Sequence, residues 1–488
     1  MSRPGGPALS VAVVVALLAT GAATVATIDA VAPPPEGRPP VADAPLATAT
    51  AVCPAGNVPP GSGHSVTTVV PQLTAAPGAG RADLVQLAAR RPVSRQAAPG
   101  AAARFDRAVR TRTLVARAAD SWAPGFSAGQ FSRTLRRDDR SLTGGACVVP
   151  GAEFWFVGGS TQLGRRGQLW LVNPTDAPAA VDVFLHGPDG PVESAAGRGI
   201  LVPPRGEETI GLDALAPGLP YAAAHVVVRQ GRVSAALLQR ELDGLTPRGA
   251  DWVPAAAAPG RDVIVPGVLA DTGSRRLRIL VPGEADAVVR LEVVSGSGEA
   301  GSPPGGAPAQ VVEARAGAVT EVDLTRTVIA HAALRLRADV PVTAGVEVRR
   351  GVDLGYAAAA GPQRGPAVVA INHADARVRT LLVLSAVDRP ARVRVTPLVP
   401  GRPPAAATTL TIAAGGTVVA PARVAGASQF SLLVTPEGGE VVGARYVIEG
   451  SGAAQLFTTE PLTPARMTTQ VPDVVADLSA AIPTSPRS

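Results

Sequence analysis

The chain has 488 residues, 46% of them hydrophobic and 17% charged, enough for several buried cores and too apolar for global disorder. Aromatic residues make up only 3%, so Val, Leu, Ile and Ala must fill those cores, and two cysteines are too few for a disulfide-rich scaffold. All 45 basic residues are arginine and the net charge is +6, but thirteen Arg against five Asp between Arg81 and Arg140 give that stretch +8 and leave the remainder near −2.

Residues 1–8 carry Arg3 and precede a charge-free apolar run, LSVAVVVALLATGAATVATI, at 9–28. Twenty such residues span a bilayer as one helix of roughly 30 Å. Asp29 and Glu36 follow the run, so the positive-inside rule places residues 1–8 in the cytoplasm and the rest outside it. The run reads as a single-pass anchor, with a cleaved signal peptide, and hence secretion, as the alternative. Residues 29–46 are proline-rich and are expected to form an extended spacer.

From 47 to 145 the pattern is irregular. HSVTTVVPQL (64–73) reads as a strand, ADLVQLAARR has the composition of a short helix, and the alternation from Val109 to Val115 favours a strand. The arginines here are accompanied by Phe105, Trp122, Phe126 and Phe131, without the binding signatures of a nucleic-acid protein, so no nucleic-acid partner is expected. A solvated basic surface is the plain expectation and contact with anionic envelope polymers or lipid head groups the sharper one. Outside the cytoplasm Cys53 and Cys147 are expected to form one disulfide, closing a loop of roughly 95 residues worth about 4–5 kcal/mol.

After Cys147 strand-like runs recur every eight to twelve residues between Gly, Pro, Asp and Asn turns, with no long helical pattern. The series repeats. LWLV at Leu169, LRILV at Leu277 and TLLVL at Thr380 each lead into a second apolar run, and the hairpins near Val233, Val342 and Val442 match as well. Each copy has the size of one immunoglobulin-like domain. The expected fold is therefore all-β: tandem immunoglobulin-like (fibronectin III-like) sandwiches at 47–258, with an N-terminal extension closed by the disulfide, then at 262–360 and 365–463, followed by a flexible tail at 464–488.

Signals for chemistry are weak. GSGEAG (296–301) fits a dinucleotide-loop pattern, but Ser-Pro-Pro-Gly-Gly follows where a helix is required. The five histidines form no HExxH or HxH pair, and no G-x-S-x-G elbow is present. Adjacent acids such as Glu207 and Glu208 point to opposite faces of a strand and cannot act together. No catalytic residue, metal or cofactor is expected. The one candidate binding surface is Trp155 with Arg165 and Arg166, where Trp155 either covers a seam between domains or offers a platform for sugar rings.

Ala-Val-Cys-Pro at Cys53, Cys-x-x-Pro-x-x-x-x-Trp-Phe-Val-Gly-Gly at 147–159 and the following Gly-Gln-Leu-x-Leu-x-Asn-Pro, after an N-terminal anchor, resemble a family of uncharacterised secreted or membrane-anchored proteins of high-GC Gram-positive bacteria. That resemblance implies location and general build and brings no catalytic residues. The functional expectation is a non-enzymatic, membrane-anchored cell-envelope protein that binds or scaffolds through its sandwiches, with cell-wall polysaccharide or envelope proteins as partners. The alternative is an accessory or catalytic component of cell-wall glycan assembly with a site between domains.

Overall fold

The computed structural model describes residues 41–472 except 57–61, 74–77, 90, 108–111, 137–138, 270–272 and 297–308. The apolar run at 9–28 and most of the GSGEAG segment lie outside the described residues, and among those described no helix is long and apolar enough to cross a membrane. There are two compact units, one being Leu46–Met467. The described part of the other is a two-stranded antiparallel sheet, Val41–Pro45 paired with Thr468–Pro472. The end of the expected spacer and the start of the expected tail are therefore strands that satisfy each other's backbone groups.

The large unit is built from four sandwiches, not three. Residues 48–146, expected to extend the first repeat, form two four-stranded sheets of their own. In order their strands are Thr48–Cys53, Gly63–Val69, Gly80–Gln86, Pro92–Arg95, Ala102–Arg107, Leu114–Asp120, Ser127–Arg136 and Asp139–Ala146. Numbered 1 to 8, they are arranged 1-6-3-4 in one sheet (sheet a) and 5-2-7-8 in the other (sheet b), all antiparallel. The stretch with helical composition is strand 3, because its backbone pairs along its whole length with Leu114–Asp120. The same two strand orders recur at 153–253, 260–358 and 367–461, with one short extra strand, Gly190–Val192, in the second copy. We call the four copies sandwiches I to IV. In III, strands 6 and 7 are one continuous strand, Ala332–Arg350, that passes from sheet a to sheet b.

Alternation sets which face of each strand is inward. In Ala179–Gly187, strand 3 of II, Val181, Val183 and Leu185 are buried while Asp182 and Phe184 are only half-buried. Ala287–Val294 and Ala391–Leu398, the equivalent strands of III and IV, bury Val289 and Leu291, and Val393 and Val395, in the same way. In I the core is made largely of Ala, Val and Leu, with Trp122 and Phe126 packed beside Cys53 and Cys147. Those cysteines form the disulfide, at a Cα–Cα distance of 4.5 Å, tying the end of strand 1 to the residue after strand 8. Paired backbone bonds between Val52 and Val148, 2.8 and 2.7 Å, sit beside it.

The copies pack head to tail through one kind of seam, sheet a of each against sheet b of the next. Val52, Val85 and Val115 of I meet Trp170, Val172 and Leu238 of II. Trp155, Val157 and Ala223 of II meet Leu280 and Val319 of III. Val294 and Ala333 of III meet Val442 of IV. Sheet a of IV then packs back on sheet b of I, with Val368, Ala370 and Leu398 against Val69 and Ala102. A heterologous contact that closes after four steps leaves neither seam face of any copy open.

Closure brings the eighth strands of all four copies together, each touching those of its two neighbours. Of these strands, Asp353–Ala358 and Leu456–Pro461 are buried throughout, and Asp139–Ala146 and Thr246–Val253 are buried at 141–144 and at 249–251 with Val253. Glycine permits the approach. A Cβ on Gly355 would lie 2.6 Å from the Phe457 ring, and one on Gly249, whose φ is +105°, would collide with the Asp353 carboxylate.

Candidate functional site

Among the described residues polar chemistry gathers at several places, and the first is the seam between II and III. Trp155 on strand 1 of II (Glu153–Val157) is 7% exposed and lies flat on His225, ring centroids 3.5 Å apart. One ring face is thus covered, and Leu280 and Val319 of III pack nearby. Glu153 Oε1 is 2.7 Å from His225 Nε2, and burial lowers the His225 pKa, so at neutral pH an uncharged imidazole donates there. Arg165 is half-buried. Its Nε pairs with Glu241 at 3.3 Å, at the start of a chain of ion pairs, while Arg166 is exposed on the same strand (Arg165–Val172).

That chain runs from Glu241 to Arg349 (2.5 Å), Arg349 to Glu347 (2.7 Å) and Glu347 to Arg278 (2.9 Å), and on to Glu321 (3.2 Å). Arg278 also donates to the Gly159 carbonyl of II at 3.3 Å. Burial alone would raise Glu347, but Arg278, Arg349 and Arg165 outweigh it and hold the carboxylate below its usual range. Removing one member of this alternating chain would strand another charge without water. No motif in the sequence brings these residues together. The available signal was charge inside apolar closing hairpins, Glu241 in ALLQREL and Glu347 with Arg349 in GVEVRR.

The second place is the meeting point of the eighth strands. Asp251 and Asp353 are fully buried there. Asp353 accepts the backbone N–H of Leu354 at 3.0 Å and of Phe457 at 2.9 Å, and Asp251 accepts that of Trp252 at 2.9 Å. The Thr458 hydroxyl is 3.1 Å from the Gly144 carbonyl and 2.9 Å from Asp251 Oδ1. That hydroxyl has one proton for the two acceptors and donates to one of them at a time. Burial pushes both carboxyls well above their ordinary range, and Asp353 adds to the effect on Asp251.

The third place is a cavity of about 680 Å³ where IV packs on I. His64 on strand 2 of I and His373 on strand 1 of IV (Ala367–His373) both line it. Burial lowers His64 to about 4 and His373 to about 3, so both rings are neutral at physiological pH. The other histidines are dispersed, with His186 Nδ1 2.7 Å from the Gly317 carbonyl. Among the described residues no cluster of His, Cys, Asp or Glu has the geometry of a metal site. Of the acids considered above, Glu207 accepts the Thr113 hydroxyl of sandwich I, and Glu208 is exposed.

The strand orders and seams define a protein of four like β-sandwiches that close on one another. The chain belongs to DUF5719, a family of unknown function, whose model matches residues 93–423. That match begins in strand 4 of I and ends just past strand 5 of IV (Gly416–Ala422), so parts of all four copies are included. No curated protein and no solved structure matches the chain.

Proposed function

We infer that this chain is a non-enzymatic protein of the cell envelope, held outside the cytoplasm by its 9–28 segment, that binds or scaffolds envelope components. The observation carrying this reading is the use made of the charged groups. Among the described residues the buried acids and arginines are engaged mainly at seams, where they hold neighbouring copies together, which leaves recognition to surface loops. The apolar run with Arg3 before it and Asp29 after it supports the location, and an Ala- and Arg-rich, lysine-free composition supports an origin in a high-GC Gram-positive bacterium.

An immunoglobulin-like class suits the sandwiches in a rearranged form. Strand pairs 2–5, 3–6 and 3–4 correspond to the B–E, C–F and C–C′ pairs of that fold, while strand 7 takes the place of A beside B and strand 1 that of G beside F. Cell-wall polysaccharide or envelope proteins are the partners proposed. The alternative, a component of cell-wall glycan assembly with a site between domains, is favoured by the cavity at the IV–I seam.

Pulldown from solubilised membranes and retention on isolated wall material test the reading. Recovery of a partner or of polymer is the expected result. Turnover of a wall precursor by the purified chain, with nothing retained, would overturn it.

A further inference from the structure

The cavity at the IV–I seam has a size typical of small-ligand sites, and its polar groups are unevenly satisfied. Arg104 is paired with Asp106 at 2.5 Å, and Arg133 makes a two-point pair with Glu449. Asp375 accepts the backbone N–H groups of Arg377 at 2.7 Å and Val378 at 2.9 Å, which hold its carboxyl below the usual range. Arg377, exposed on the rim, has no carboxylate partner among the described residues. With both imidazoles neutral, one cation is left over.

Hydrogen-bonding capacity is left over as well. The Gln429 side-chain oxygen is buried without a partner, while its amide nitrogen lies 3.2 and 3.3 Å from the two ring nitrogens of His373 and can donate to only one. His64 uses Nδ1 on the Ser132 hydroxyl at 2.7 Å, which leaves its second nitrogen. Fixed planar groups of mixed donor and acceptor character suit vicinal hydroxyls, each of which both donates and accepts. The unpaired guanidinium suits one carboxylate, which it can hold at two points.

We propose that this seam cavity binds a sugar bearing one carboxylate, a hexuronate, with its hydroxyls among Gln429, His64 and Asp106 and its acid group on Arg377. The site deepens the envelope-binding reading and rests on it. A free sugar acid and a residue of an acidic polysaccharide share this chemistry and differ in whether the chain extends past the rim. Neither sandwich holds the ligand alone, so binding also reports that IV has closed on I.

Saturation-transfer NMR on the full chain, with glucuronate, glucose and acetate as probes, tests the assignment. Transfer to glucuronate well above that to glucose or acetate is expected. Arg377→Ala should weaken it at least tenfold, Arg377→Lys should restore part of it, and Arg389→Ala at the III–IV seam should leave it unchanged. An oligogalacturonate that displaces glucuronate identifies the polymer as the source, and failure to displace identifies the free acid. Equal transfer to glucose, or wild-type binding by Arg377→Ala with unchanged circular dichroism, overturns the site. Retention on wall material is measured in parallel: if it persists while glucuronate neither binds nor competes, the site is wrong and the envelope reading stands. If nothing is retained, the envelope reading itself has failed.

Discussion

Replacing both Cys53 and Cys147 by alanine removes the one disulfide without leaving a free thiol. The bridge spans 94 residues, and the chain-entropy relation for a loop of that length gives about 4.7 kcal/mol of stabilisation, acting through the unfolded chain. The folded chain keeps the Val52–Val148 backbone pair beside the lost bridge, so sandwich I should still form. Urea unfolding followed by near-ultraviolet circular dichroism, to which Trp122 in the same core contributes, should show the early transition shifted down by roughly 2 M, taking m near 2 kcal/mol/M for one sandwich. Both sulfurs are buried, at 2% and 5% exposure, so reduction of the native protein should be slow and should become fast only as sandwich I opens. A double variant within about 1 kcal/mol of the oxidised parent would refute the entropic account. Two maleimide-reactive thiols in unreduced, unfolded protein would refute the bridge itself.

Trp155→Ala should destabilise the protein by about 3–5 kcal/mol, measured by the same unfolding assay, because the ring fills the II–III seam. His64 and His373 should show no NMR titration between pH 5 and 8. Their folded pKa values lie below the unfolded value of about 6.5, so the stability they contribute is complete above that pH and is lost as pH falls towards about 4 for His64 and about 3 for His373. For His64 the loss approaches about 3 kcal/mol, readable as a falling urea midpoint. Asp251 has the opposite sign: its folded pKa is raised, so stability is greatest in acid and declines as pH rises through and above the ordinary carboxylate range. Asp251→Asn should remove that decline while its side-chain oxygen keeps the contacts to Trp252 and Thr458, whereas Asp251→Ala should lose about 1–3 kcal/mol through the unmet partners. An undiminished decline in Asp251→Asn would show that Asp251 is not the group responsible.

The repeats in II, III and IV were legible because strand 2 of each carries an apolar run, at Leu169, Leu277 and Leu381 and broken in III only by Arg278, followed by a turn and an alternating strand 3. Sandwich I has the same strand order but hides it. Its strands AARFDR, LVARAAD and SAGQFSRTLR bury Ala, Thr and Gln as much as large aliphatics, so their periodicity is faint. The closure was not legible. GADWV, DLGYAA and LFTTEP lie in the eighth strands of II, III and IV, and their burial on both faces erases the alternation that would mark them. The same holds for the candidate sites. Trp155 stood out as rare in composition, but nothing local in the sequence places Leu280 over it. His64 and His373, more than three hundred positions apart, share a cavity only because IV returns to I.

The closed order of the seams also fixes how this architecture can evolve. An open array of repeats gains or loses a unit by repairing one neighbour contact, and its length drifts. Here removal of a copy would leave two unlike faces to meet at a new angle, and an added copy would force all the eighth strands apart at the glycines that let them touch. The closed seams thus resist a change in the number of copies, and family members are expected to vary in loop length while keeping four.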